Sequence, residues 1–209
     1  MATLAQSFSS RSADIAVVVP KRQTPLSPTL SITYQQLHAH VADFQAKLAK
    51  LGVGHGDAVS LALVNSFEFI VGFLGASWQR AIAAPLNPAY KQEEFEFYID
   101  DLSSTLVLIP KGSYAQNGPA VRAGRKYNAA IAECYWNGTE VVLDVKEQGK
   151  LAGSAGVTVG QAQPDDIALV LHTSGTTGRP KAVGLPVPAN LQMLTRKRFH
   201  LPTRISPQP

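Results

Sequence analysis

The sequence predicts an α/β domain in which βαβ units place helices on both faces of a sheet. Short runs of apolar and β-branched residues alternate along the chain with segments whose apolar residues recur at helical spacing. The composition of the 209 residues, 45% hydrophobic and 16% charged, is that of a chain that can bury a substantial core. It is not the composition of a disordered protein.

The first helix has clear start and stop signals. Residues Ile15–Val19 form a short apolar run, and a helix then begins at Thr33, where Gln36 three residues later completes a capping box. Gly52 ends the helix. One face carries apolar residues at helical spacing: Leu37, Val41, Phe44, Leu48 and Leu51.

The same alternation continues through the rest of the chain. After a predicted strand at Ala58–Val64, a second capping pattern at Asn65 and Glu68 opens a helix with an apolar stripe. We predict the later elements as follows: strand Ala81–Ala84, helix Lys91–Asp101, strand Leu106–Ile109, helix Val121–Tyr135, strand Glu140–Leu143, a surface linker Gln148–Gln163 and strand Ile167–Leu171. The acidic residues of the third helix are interpreted as a solvated face, not a metal cluster: Glu93, Glu94, Glu96, Asp100 and Asp101.

The positive charge is concentrated at one end of the chain. Residues 1–178 contain 13 Lys and Arg and all 15 Asp and Glu, a net of −2. Residues 179–209 contain six Lys and Arg and no acid, a net of +6. The formal net charge of +4 therefore comes from the last segment, and we expect no nucleic-acid partner for the domain.

Cysteine usage and the chain ends bear on localisation. Cys134 is the single cysteine, which excludes an intramolecular disulfide and fits a reducing compartment. No basic-then-apolar leader opens the sequence, and Asn65 and Glu68 interrupt its most apolar stretch. We therefore expect an intracellular protein without a membrane span. The last residues, 207–209, do not form a peroxisomal Ser-Lys-Leu signal, so cytoplasm and peroxisome both stay open.

One loop carries the chemistry. The last strand runs directly into residues 172–181, HTSGTTGRPK. Gly175 and Gly178 let the backbone turn successive N–H groups toward one point, and Lys181 adds a positive charge. Hydroxyl donors come from Thr173, Ser174, Thr176 and Thr177. The spacing is not that of a Walker loop. The alternative to a ligand site is an ordinary polar turn at the tip of a hairpin. We favour a phosphate site.

Residues 172–183, HTSGTTGRPKAV, closely resemble the phosphate-binding signature of the adenylate-forming (AMP-binding) superfamily, which includes acyl-CoA synthetases, peptide-synthetase adenylation domains and luciferases. Three earlier segments are similar to family motifs in the same order: Ser31–Leu37, Gly56–Val59 and Gly75–Pro88. Residues 90–101 and 165–181 most resemble fungal peroxisomal-type CoA synthetases and oxalate–CoA ligases.

The resemblance implies the partial N-terminal domain of the adenylate-forming fold and a two-step reaction. A carboxylic acid attacks the α-phosphate of ATP, with Mg²⁺, and coenzyme A then displaces AMP. By motif position the phosphate-binding residues are Thr173, Ser174, Gly175, Thr176, Thr177, Gly178 and Lys181. No catalytic residue and no metal ligand is assigned within this chain.

The sequence departs from the family pattern near its end. Ala182 stands where the family usually has glycine, and Pro186 and Pro188 oppose the helix that the family starts there. We therefore predict an AMP-binding domain at residues 1–183 and a divergent, disordered basic tail at 184–209. The chain alone is expected to be inactive. The alternatives are a nucleotide-binding remnant without turnover and an interaction protein that uses its basic tail. For His172 we favour packing over substrate contact.

Overall fold

The computed structural model describes residues 12–20, 29–173 and 181–186. The strands are β1 (Ile15–Val19), β2 (Leu30–Thr33), β3 (Ala58–Leu61), β4 (Ile82–Pro85), β5 (Leu106–Ile109), β6 (Ala130–Trp136), β7 (Val141–Glu147), β8 (Ile167–Thr173) and β9 (Lys181–Pro186). The helices are α1 (Tyr34–Leu51), α2 (Phe67–Trp78), α3 (Gln92–Asp101) and α4 (Pro119–Lys126), followed by a short 3-10 turn at Gly149–Leu151.

Seven strands form the main sheet in the order β7-β6-β5-β3-β4-β8-β9, and β1 and β2 form a separate hairpin. The five inner strands are parallel, and β7 and β9 pair antiparallel at the two edges. Helices α2, α3 and α4 connect successive parallel strands. The predicted βαβ architecture is therefore confirmed.

Strand β5 shows why helices cover both faces of the sheet. Its four residues are at most 1% exposed, and successive side chains of a strand point to opposite faces. Leu106 and Leu108 pack into one core with residues of α1 and α2, and Val107 and Ile109 pack into a second core with residues of α3 and α4. A strand buried on both sides appears as a continuous apolar run, as predicted for this segment.

Helix α1 begins and ends where the sequence predicts. The Thr33 hydroxyl accepts a hydrogen bond from the Gln36 backbone N–H at 3.2 Å, and the Gln36 side-chain oxygen accepts from the Thr33 N–H at 2.9 Å. Gly52 ends the helix in a left-handed conformation, with φ of 101°. These bonds satisfy terminal backbone groups that the helix itself leaves unpaired.

Two predictions about the helices are wrong. The cap of α2 is Ser66 and not Asn65: the Ser66 hydroxyl accepts from the Phe69 N–H at 3.3 Å, and a start at Phe67 turns the apolar stripe inward. The predicted helix Val121–Tyr135 is instead helix α4 followed by strand β6. Asn128 adopts a positive φ of 54° between them, and the apolar run of β6 is buried beside β5.

The predicted surface linker forms hydrogen bonds with the helices beneath it. We call residues 152–163 the strap. The Val157 N–H donates to the Ala49 carbonyl at 2.8 Å. Gln45, buried on α1, donates to the Gly160 carbonyl at 2.7 Å, and the buried Gln79 amide both accepts from the Gly160 N–H and donates to the Thr158 carbonyl. The strap therefore delivers the chain to the start of β8 along a fixed path.

A buried carboxylate holds the start of β8. Asp166 lies directly before the strand, and its two oxygens each accept a hydrogen bond from Arg80 at 2.9 Å. The Gln163 N–H donates to the same carboxylate at 2.7 Å, and His55 Nε2 lies 3.2 Å from it. Burial opposes ionisation of Asp166, but the bonds from Arg80 and Gln163 outweigh it, so the pKa of this carboxyl lies below its usual value.

We predict that Gly75→Ala is less stable than Gly72→Ala by about 1–3 kcal/mol. Both changes add the same helix-favouring methyl group to α2. A methyl at Gly75 would lie 2.9 Å from Cδ1 of the fully buried Phe44, whereas one at Gly72 meets no side chain closer than 3.4 Å. Urea unfolding of the two variants measures the difference. Equal stability would show that α1 and α2 can separate freely.

We also predict that the stabilising effect of Asp166 disappears in acid. A carboxylate with a lowered folded-state pKa stabilises the fold above its unfolded pKa of about 3.9 and loses that effect as the pH falls through the folded value. The free energies of unfolding of wild type and Asp166→Asn should therefore differ most above about pH 5 and converge below about pH 4. The exposed neighbour Asp165 provides the control, Asp165→Asn. A pH-independent gap for Asp166→Asn would contradict the prediction.

Candidate phosphate-binding site

Strands β8 and β9 hold the two ends of the predicted phosphate loop side by side. They form an antiparallel hairpin in which Thr173 is the cross-strand partner of Lys181. The predicted site residues between them lie outside the described residues: Ser174, Gly175, Thr176, Thr177 and Gly178. The structure thus describes the stem of the hairpin and brings the first and last predicted site residues together.

The hairpin stem is part of the sheet, and the segment that connects its two strands begins at the carboxyl edge of the parallel strands. Strand β8 pairs parallel with β4, with Leu169 opposite Ala83, and β4 is parallel to β3. The turn that follows Pro85 and the cap region of α2 start from the same edge. In open α/β sheets this edge is where ligands bind, because the loops that leave it can converge on one molecule.

Backbone geometry also accounts for Ala182. The residue lies in β9 and pairs with His172. Extended backbone of a strand has negative φ, which any residue adopts, so glycine is not required at this position. The departure from the family pattern at Ala182 is therefore compatible with the hairpin. Strand β9 continues to Pro186, three residues past the predicted domain boundary.

His172 packs against α3, as predicted. Its side chain is only 6% exposed, and its ring centroid lies 4.6 Å from that of Tyr98 and 6.2 Å from that of Phe97. The ring nitrogen Nε2 is 2.9 Å from Oδ2 of Asp101. Since an ionised carboxylate only accepts hydrogen bonds, Nε2 carries the proton and donates it.

The tyrosines beside His172 are packing and hydrogen-bonding groups. Burial, followed by the hydrogen bond with Tyr90, raises the pKa of Tyr98 to about 12. The ring centroids of Tyr90 and Tyr98 are 5.1 Å apart. Tyr98 therefore stays protonated at neutral pH and does not serve as a base.

Two acidic residues of α3 have partners that the sequence did not predict. The acidic residues of α3 are not all a solvated face: Asp101 bonds to His172, and Glu96 pairs with Lys126. A signal was present at Asp100 and Asp101, because carboxylates in the last turn of a helix are disfavoured by the helix dipole. Acids in that place suggest a specific cationic or hydrogen-bonding partner.

Among the described residues, no three His, Cys, Asp or Glu side chains are grouped so that they could hold a metal ion. None of the helices in the described ranges is long and apolar enough to traverse a bilayer.

Curated proteins similar to this chain include two oxalate–CoA ligases. Over 168 residues it is 39% identical to an oxalate–CoA ligase of Arabidopsis thaliana, which covers 79% of this chain and 32% of the relative. An oxalate–CoA ligase of Saccharomyces cerevisiae is 33% identical over 211 residues, 88% of this chain and 38% of the relative. The chain thus spans about a third of the length of these curated relatives.

Solved structures and a family profile agree with these relatives. ATP-bound MatB from Rhodopseudomonas palustris is similar with a TM-score of 0.57 and 25% identity, over 75% of this chain and 30% of that one. The profile of the family described as "AMP-binding enzyme" matches residues 8–204, across the boundary predicted at 183. The hairpin stem, the sheet that carries it and this match lead to one conclusion: the chain belongs to the AMP-binding enzyme family.

Proposed function

We propose that this chain is the N-terminal part of an ATP-dependent, AMP-forming acid–CoA ligase. In that reaction a carboxylate oxygen attacks the α-phosphate of ATP, which releases pyrophosphate and forms an acyl-adenylate. The sulfur of coenzyme A then attacks the acyl carbon and AMP leaves. The observation that carries the proposal is the β8–β9 hairpin, whose stem pairs Thr173 with Lys181 at the carboxyl edge of the sheet.

The role proposed for this chain is to bind the phosphates that leave. The proposed ligands are Thr173, Ser174, Gly175, Thr176, Thr177, Gly178 and Lys181. Backbone N–H and hydroxyl groups would donate to the β- and γ-phosphate oxygens, and Lys181 would offset charge on the departing pyrophosphate. Residues 167–209 contain no Asp or Glu, so no carboxylate in this segment would repel the phosphates.

Magnesium would enter this site with its nucleotide. Mg²⁺ at phosphate-transfer sites is held largely by substrate phosphates and water, with one or two carboxylates. When bound, it would neutralise phosphate charge in the same way as Lys181.

The names of the relatives guide the choice of acid. Two of them are oxalate–CoA ligases, and a third relative, from Mycobacterium tuberculosis, is a long-chain-fatty-acid–CoA ligase at 31% identity. We propose a carboxylic acid substrate, with oxalate as the first acid to test and a fatty acid as the contrast. We also propose a cytoplasmic or peroxisomal location. The basic tail predicted at 184–209 is proposed to be separate from the domain after β9 ends at Pro186.

We predict that the 209-residue chain binds MgATP and that Lys181→Ala weakens this binding about ten- to one hundred-fold. A hydrogen bond to a charged group contributes about 1.5–3 kcal/mol, and about 1.4 kcal/mol corresponds to tenfold in affinity. Isothermal titration calorimetry measures both dissociation constants. Lys50→Ala, which removes the same charge from an exposed position on α1, is the control. Equal affinity of the Lys181 variant and wild type would contradict the proposed site.

We predict further that these 209 residues alone do not catalyse ATP–pyrophosphate exchange with any acid of a panel that includes oxalate. The residues proposed here contact only the leaving phosphates, whereas catalysis requires stabilisation of the whole transition state. Radiolabelled pyrophosphate incorporation into ATP is the measurement, and Lys181→Ala sets the background. Acid-dependent exchange above that background would contradict the prediction. Binding without exchange would be the expected result.

A further inference from the structure

His172, the residue directly before the first predicted phosphate ligand, is fixed to a helix on the body of the domain. His172 donates to Asp101 at 2.9 Å and packs on the ring of Tyr98. Both partners lie in α3, which connects β4 to β5 and is packed on the second core through Phe95 and Ile99. A side chain on β8 is therefore bound to an element that cannot move without disturbing the core.

The position of Asp101 is electrostatically costly unless it has a partner. It is the last residue of α3, where the helix dipole is negative, and this helix has no basic residue in its last turn. Its side chain is 41% exposed, so water offsets part of this cost. The donor on His172 gives the carboxylate a direct partner at this unfavourable helix end.

We call the hydrogen bond between His172 and Asp101 the anchor. It affects both strands of the hairpin where they adjoin the predicted site. His172 is followed directly by Thr173, and its strand partner Ala182 directly follows Lys181. Because the two strands are hydrogen-bonded, fixing His172 fixes the orientation of both residues that begin and end the predicted site. A small rotation of a stem is amplified at the loop it carries, and binding of phosphate oxygens depends on ångström-scale placement of donors.

We propose that Asp101 and His172 are positioning residues that set the affinity of the adjoining segment for MgATP. This inference rests on the proposed function. Asp101 acts through His172 and does not itself contact the nucleotide. Its own charge would, if anything, repel ATP.

The sign of the effect separates positioning from simple electrostatics. If Asp101 acted only through its charge, Asp101→Asn would bind MgATP as tightly as wild type or more tightly, because a negative charge is removed near a polyanion. If it positions His172, the same change weakens binding, by about five- to tenfold for one charge-assisted hydrogen bond. Glu93→Gln removes an equal charge from an exposed position in the first turn of α3 and serves as the control.

Two variants of His172 test the bond separately from the ring packing. Glutamine at this position retains an amide donor, whereas phenylalanine retains a ring against Tyr98 but offers no donor. We expect His172→Gln to keep more MgATP affinity than His172→Phe. Calorimetry on the full 209-residue chain gives the affinities, and thermal unfolding without nucleotide identifies any variant that fails to fold. If Asp101→Asn does not fold, the difference in MgATP affinity between His172→Gln and His172→Phe still tests the proposal.

Hydrogen exchange without nucleotide provides a second measurement of the anchor. Amides of residues 169–173 and 181–185 should exchange faster in Asp101→Asn and His172→Phe than in wild type, and at the wild-type rate in Glu93→Gln. Unchanged exchange would overturn the inference, as would wild-type MgATP affinity in both Asp101→Asn and His172→Phe; the proposed function would then stand. If wild type itself binds no MgATP, the proposed function fails and this inference fails with it.

Discussion

The parallel pairing of β8 with β4 is the constraint on which the candidate site depends. Because β8 runs in the same direction as its neighbours, it ends at the edge where the loops after β3 and β4 also begin. An antiparallel β8 would carry the following segment to the opposite edge of the sheet. The direction is fixed before the strand starts, since Arg80 holds Asp166 and the strap leads the chain to that point.

Sequence alone predicts those parts of the fold that local interactions determine. The cap at Thr33 and the stop at Gly52 are made by residues three or four positions from their partners, so a short window of sequence contains them. The four-residue apolar run of β5 is also a local pattern. In β6 the same kind of run was mistaken for a helix continuing from α4, because a buried strand and a buried helix are equally apolar and only neighbouring strands decide between them.

The candidate site also has a part that local sequence predicts and a part that depends on distant residues. The glycines, hydroxyls and lysine that suggest phosphate binding lie within ten consecutive residues, so their chemistry is visible in the sequence. The residues that hold the stem are far away: Arg80 is 86 residues from Asp166, and Asp101 is 71 residues from His172. No periodicity or spacing rule pairs residues over such distances. Only the topology that brings α2 and α3 to β8 reveals them.

The strap has a consequence for how this family can diverge in sequence. Gln45 and Gln79 form hydrogen bonds with main-chain carbonyl and N–H groups of the strap, and not with its side chains. Nearly every residue type carries these main-chain groups. Outward positions of the strap can thus accumulate neutral substitutions without loss of its path. The glycines of the strap are the exceptions. Gly153 and Gly156 have a φ of 78°, which other residues rarely adopt. A side-chain carbon at Gly160 would lie 3.1 Å from the Gln79 carbonyl oxygen and Cγ of Arg80. Outside its glycines, we expect the route of the strap to depend little on which residues it contains.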